Sequence, residues 1–128
     1  HVVVHGDDYP TPDGTGVRDY VHVMDLAEAH VAALEHLRVP GASLTLNLGS
    51  GAGASVMQVL QAFGRARGEP VAFRVGPRRA GDLASLLADP TAALDQLGWR
   101  ATRSLDDICR DALRWQRAMA DGLLPSTD

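Results

Sequence analysis

The sequence predicts an α/β fold, on three observations. Short runs rich in β-branched residues alternate with stretches of helical periodicity. Loops rich in Gly, Pro and Asp separate them. Apolar residues make up 45% of the chain and charged residues 22%, a globular rather than a disordered composition. A length of 128 residues is one domain's worth, so residues 1–128 are read as a single region.

The elements follow in order. Val2-Val3-Val4 with its flanking histidines is a β run, and Gly6 to Gly16 is a loop. Val17, Tyr20, Val21 and Val23 suit a pleated strand, and from Met24 the pattern becomes helical, with Leu26, His30, Ala33, Leu34 and Leu37 in phase. That helix should stop near Arg38, before Pro40-Gly41. Leu44 to Leu48 alternates apolar and polar residues and is expected to be a strand, followed by a tight loop over Gly49–Gly53. Ser55 and Gln58 have capping-box spacing, and Gly68 suits a left-handed helix end. Val71–Val75 is expected to be a strand, Gly76–Asp82 a loop, and Ser85–Ala88 a short strand. Asp89-Pro90 should supply a cap and a first-turn proline for a helix ending at Gly98. Ser104 to Asp107 opens the last helix, with an apolar stripe from Leu105 out to about Met119, and Gly122–Asp128 is read as a frayed polar tail.

Charge and cysteine content narrow the function classes. The net charge is −4, and no cationic cluster exceeds Arg78-Arg79, which argues against a nucleic-acid partner. Lysine is absent, so all twelve cations are arginine. Cys109 stands alone in a helical pattern and is read as a small buried hydrophobe. No apolar run approaches the roughly 20 residues of a membrane helix, and no signal-peptide core opens the chain, so no membrane partner and a cytoplasmic location are expected. The five histidines show no metal-ligand spacing, and no metal is expected.

Two groups of residues could carry chemistry. Gly49-Ser50-Gly51-Ala52-Gly53-Ala54 fits the permissive dinucleotide fingerprint, and Glu69 lies twenty residues on. However, that acid should end the second strand, and Glu69 precedes one. A glycine turn that lets a helix pack closely on a strand is the better reading. Arg18, Arg78 and Arg79 form the second group. They read either as solvated surface charges or as a clamp, because guanidinium groups match phosphate oxygens bidentately.

The segment Gly6–Ala27, with its core Gly14-Thr15-Gly16-Val17-Arg18-Asp19-Tyr20, resembles the UDP-glucose 4-epimerases, which are extended short-chain dehydrogenase/reductases. The resemblance continues through Asn47-Leu48-Gly49-Ser50-Gly51, Pro77-Arg78-Arg79-Ala80-Gly81-Asp82, Ala88-Asp89-Pro90, Leu97-Gly98-Trp99 and Trp115-Gln116, in the family's order. It implies a C-terminal, substrate-binding portion of such an enzyme, with the N-terminal Rossmann half absent. The complete enzyme would transfer hydride reversibly between the sugar C4 and a bound NAD. This portion is expected to bind no NAD itself, since the same Asn-Leu-Gly-x-Gly segment lies away from the family's nucleotide loop. By resemblance, Arg18 and Arg79 hold the UDP phosphates and Asp82 faces the ribose hydroxyls. The position of Leu86 helps decide whether N-acetylated sugars fit. It is often tyrosine or a small residue in the family; leucine is neither, so the resemblance leaves acceptance of UDP-N-acetylglucosamine open.

The family's catalytic Tyr-x-x-x-Lys cannot occur in a chain without lysine, so no catalytic residue is assigned and the 128 residues alone are expected to be inactive. The expected partners are a UDP-sugar and the missing NAD-binding half. Without that half, an apolar face and a strand edge would be bare, and self-association is expected. The alternatives are a non-catalytic nucleotide-sugar binding or interaction module, or a portion of another nucleotide-sugar epimerase or dehydratase.

Overall fold

Two small sheets and four helices carry the chain in the computed structural model, which describes residues 1–122. The tail expected over Gly122–Asp128 lies outside the described residues beyond its first position. In chain order the elements are β1 (Val2–His5), β2 (Val17–Asp19), α1 (Val23–His36), β3 (Gly53–Ser55), α2 (Val56–Arg67), β4 (Phe73–Gly76), β5 (Ser85–Leu86), α3 (Thr91–Leu97) and α4 (Leu105–Ala120). Strand β1 pairs in parallel with β4, Val3 opposite Arg74. Strand β2 is the centre of the other sheet, antiparallel to β3 and parallel to β5. No described helix is long and apolar enough to cross a membrane.

Local chemistry sets most of the helix ends. The Ser55 hydroxyl accepts from the Gln58 N–H at 3.1 Å while the Gln58 side chain accepts from the Ser55 N–H at 2.8 Å. Ser104 and Asp107 repeat the exchange at the start of α4. Gly68 and Gly98 close α2 and α3 in the left-handed conformation. Helix α1 is capped by an imidazole, with His22 Nδ1 accepting from the Met24 N–H at 3.0 Å.

Several expectations change. The strand expected from Val17 through Val23 stops at Asp19, with Val23 opening α1, and the one expected over Ser85–Ala88 stops at Leu86. Leu44–Leu48 forms no ladder. The alternation is realised in burial, with the leucines partly covered and Thr45 and Asn47 exposed, but the described strands pair among themselves and none lies alongside. The strand expected over Val71–Val75 begins at Phe73, where β1 supplies a partner. Gly53–Ser55, read as the end of a loop and a cap, also forms β3 against β2. Pro90 occupies the cap position of α3 rather than its first turn, while Asp89 accepts from both the N–H and the hydroxyl of Thr91.

The core lies where α1, α3 and the 99–104 segment meet. Ala29, Ala93 and Trp99 are buried together, with Leu46, Leu48 and Leu97 packed around them. Helices α2 and α4 pack beside it, and Cys109 is fully buried, its thiol pushed up by burial. Asp25 of α1 is also fully buried. It accepts from the Thr102 hydroxyl at 3.2 Å, from the Arg103 N–H at 3.2 Å and from the Arg103 guanidinium, while its carbonyl accepts from the Trp99 indole at 2.9 Å. Burial pushes this carboxyl up, but the bonds from Arg103 and Thr102 outweigh it and the net direction is down.

A depressed carboxylate contributes stability that is complete above the unfolded value of about 3.9 and is lost as pH falls through the folded one. Asp25→Ala should destabilise a polypeptide carrying these residues by about 1–3 kcal/mol, because the Thr102 hydroxyl and the Arg103 N–H lose their acceptor while the Arg103 guanidinium keeps Glu28. Asp25→Asn should flatten the acid limb of the stability profile below about pH 4. Denaturant unfolding at pH 7 and over the acid range measures both.

Candidate functional site

Arg18, Arg79 and Asp82 meet on the wall of a cavity of 190 Å³. Arg18 comes from the middle of β2, whereas Arg79 and Asp82 come from the loop after β4, some sixty residues on. The remaining wall is built by alternate residues of two strands and their extensions, Val3 and His5 on β1 and Gly16 and Tyr20 around Arg18, with Tyr9 and Val56 closing it. The period-two spacing of Val3/His5 and Arg18/Tyr20 is a signal that sequence reading could have used and did not.

The two guanidinium groups converge on one carboxylate. Arg79 Nε donates to Asp82 Oδ2 at 3.0 Å, and Arg18 Nη2 lies 3.8 Å from Asp82 Oδ1. Arg18 Nη1 also donates to the Val17 carbonyl at 2.8 Å, which folds the side chain back along its own strand. Two cations and one anion leave the cluster positive, with guanidinium donors still free for an anionic ligand. Burial pushes the Tyr20 phenol up against the pull of Arg18, so it stays a protonated donor at neutral pH. The Tyr9 hydroxyl is buried without a hydrogen-bond partner among the described residues.

Arg78 is placed differently. Its guanidinium lies over the Tyr9 ring, 4.1 Å from the centroid, and its Nε donates to Asp8 Oδ1 at 2.6 Å. It braces the wall from behind and does not line the cavity. Leu86 does not line it either. It is the β5 partner of Arg18 in the ladder, and its side chain is exposed.

The glycine-rich loop is occupied by a different task. The N–H groups of Ser50 and Gly51 donate to the two oxygens of Asp19 at 2.9 and 3.0 Å. A Cβ on Gly49 would sit 2.4 Å from the Ala88 Cβ and 2.6 Å from Asp19 Oδ2, and one on Gly53 would sit 2.4 Å from Val17 Cγ1. These glycines allow close approach to β2 and the segment after β5, and the amides that a pyrophosphate would need already hold a carboxylate. Glu69 pairs with Arg67 on the surface.

Residues 1–112 match the family model described as GDP-mannose 4,6 dehydratase. The chain belongs to the GDP-mannose 4,6 dehydratase family. Within that family its similarity runs to UDP-glucose 4-epimerases. It is 55% identical over 118 residues to one from Schizosaccharomyces pombe, covering 91% of this chain and 33% of that protein. It is 52% identical to one from Yersinia pestis, covering 94% and 36%. A crystal structure of the epimerase from Stenotrophomonas maltophila with bound NAD and formylated UDP-arabinopyranose superposes with a TM-score of 0.91 at 56% identity, covering 95% of this chain and 36% of that one. The epimerase from Bifidobacterium longum in complex with NAD+ and UDP gives 0.86 at 46% identity, with 94% and 36% covered. The chain thus spans about a third of the length of the curated relatives it matches.

Gly49→Ala tests the structural role of the glycine turn. The added methyl must displace Ala88 or Asp19, and overpacking of this kind typically costs about 1–3 kcal/mol. Thermal unfolding of the variant should show that loss. An unchanged melt would leave the close approach without energetic consequence.

Proposed function

We propose that this chain is the C-terminal third of a UDP-glucose 4-epimerase and that residues 1–128 act as its UDP-sugar-binding region. The observation that carries this reading is the convergence of Arg18 and Arg79, from segments sixty residues apart, on one cavity with Asp82 between them. It is supported by relatives near 50% identity that are UDP-glucose 4-epimerases, one of them solved with UDP. In this reading Arg18 and Arg79 grip the pyrophosphate. Asp82 releases its hold on the two arginines as the phosphates enter and accepts from the ribose hydroxyls. The phosphate contacts position the nucleotide, so the sugar is presented to groups outside these residues.

NAD would be held by the rest of the polypeptide, since the amides of the glycine loop here already serve Asp19. The general base also comes from elsewhere, because no lysine is present to form a Tyr-x-x-x-Lys pair. Leu86 lies one strand over from Arg18 and outside the cavity wall, so its bearing on N-acetylated sugars rests on the family resemblance alone. The family model's description names a dehydratase, which keeps a dehydratase as the second reading. The epimerase is favoured because relatives matched at 52–56% identity are epimerases.

The 128 residues alone should show no conversion of UDP-galactose to UDP-glucose above buffer background. They should also self-associate in sedimentation, because apolar surface is left bare.

In a full-length chain carrying these residues, Arg79→Ala should weaken UDP binding about tenfold or more, a charge-assisted contact contributing roughly 1.5–3 kcal/mol and a decade being about 1.4. Arg79→Lys should recover only part, because an ammonium cannot reproduce the paired fork. Arg78→Ala should bind nearly normally. Calorimetric titration of UDP decides the matter, and loss of affinity in Arg78→Ala but not in Arg79→Ala would place the wrong arginine in the site.

A further inference from the structure

The cavity that joins Arg18 to Arg79 is lined by two kinds of side chain. Arg18, Arg79 and Asp82 make its charged side. Val3 and His5 of β1, with Tyr9 and Val56, make a side that holds no arginine and no carboxylate. The Tyr9 hydroxyl is buried, so the His5 imidazole is the polar side-chain group that this second side presents.

That imidazole is oriented. His5 Nδ1 lies 3.3 Å from the Pro77 carbonyl, which can only accept, so Nδ1 carries the proton and donates. In the neutral ring the lone pair then falls on Nε2, and among the described residues none bonds to it. Pro77 opens the loop that carries Arg79, and the Gly6 N–H, next in the chain after His5, donates to the Gly76 carbonyl at 2.9 Å. The ring and the arginine therefore share one support.

With the phosphates on the arginines and the ribose on Asp82, the base falls to the side without charge. Val3 and Val56 offer apolar surface to a planar ring. A pyrimidine is distinguished at its edge. Uracil presents an N3–H donor between two carbonyl oxygens, whereas cytosine presents N3 as a bare acceptor beside an amino donor. An acceptor held in the wall bonds the first and is left unpaired by the second.

We propose that His5 reads the base: its Nε2 accepts from the N3–H of a uracil-type base and so selects uridine over cytidine nucleotides. The proposal rests on the nucleotide-sugar reading and adds to it the side chain that discriminates the base.

Calorimetric titration of UDP and of CDP into the full-length polypeptide tests it. UDP should bind at least about tenfold more tightly than CDP, because the site's acceptor finds no donor on cytosine N3. His5→Phe removes the acceptor, so UDP should weaken until the two ligands lie within about twofold of each other. His5→Gln carries both an acceptor and a donor, so it should keep UDP and gain CDP, closing the gap from the other direction. A wild-type polypeptide that binds CDP as well as UDP would overturn the proposal. So would a His5→Phe variant that loses both ligands by the same factor, since the histidine would then only support the wall. Arg79→Ala, measured alongside, separates the two readings. Affinity lost in Arg79→Ala with no discrimination between UDP and CDP would sink the base-reading role and leave the phosphate clamp standing. Discrimination that depends on His5, with affinity unchanged in Arg79→Ala, would support the base-reading role and sink the clamp.

Discussion

The carboxylate of Asp19 fixes the geometry on which the site depends. It accepts from the Ser50 N–H and hydroxyl, from the Gly51 N–H, and from the Ala88 N–H at 3.3 Å. One side chain at the end of β2 thereby ties down the glycine loop and the segment after β5. Burial pushes this carboxyl up, but the Ser50 hydroxyl and the three amides outweigh it, and it stays ionised. Because side chains alternate along a strand, the residue before Asp19 faces the other way. Asp19 therefore anchors one face of β2 while Arg18 lines the cavity on the other. The Arg-Asp pair divides in two directions, one side chain tying down the loops and one lining the cavity.

The same constraint accounts for the glycines of the nucleotide-like motif. Gly49 and Gly53 are needed because Ala88, Asp19 and Val17 come too close for a Cβ. The spacing that resembles a phosphate cradle is a by-product of two glycines packed close to β2, with the Gly51 amide between them bonded to Asp19. What fills the amide cradle is the protein's own carboxylate.

Much of the fold was legible because it is local. The capping box at Ser55, the left-handed end at Gly68, the helix start at Ser104 and the helix stop at Gly98 each follow from short-range hydrogen bonding, and all are realised. Leu44–Leu48 was misread because a strand needs a neighbour, and no described strand lies beside it. Strand β3 was missed because Gly-Ala-Ser has little strand preference of its own and is held by β2. Of the candidate site, residue chemistry alone left Arg18, Arg78 and Arg79 equivalent. Their separation depends on Asp8 and Tyr9, which hold Arg78 out of the cavity from some seventy residues away in sequence. Such pairings are invisible to spacing rules.

The central claim is that Arg18 and Arg79 recognise phosphate and leave the nucleoside to the rest of the cavity. Calorimetric comparison of UDP with uridine, in a full-length chain carrying these residues, tests it most directly. Two charge-assisted contacts of roughly 1.5–3 kcal/mol each predict that UDP binds at least about a hundredfold more tightly. The gap should narrow by about a decade in Arg18→Ala, when one of the two is removed. Equal affinity for UDP and uridine, or a gap untouched by Arg18→Ala, would contradict the claim.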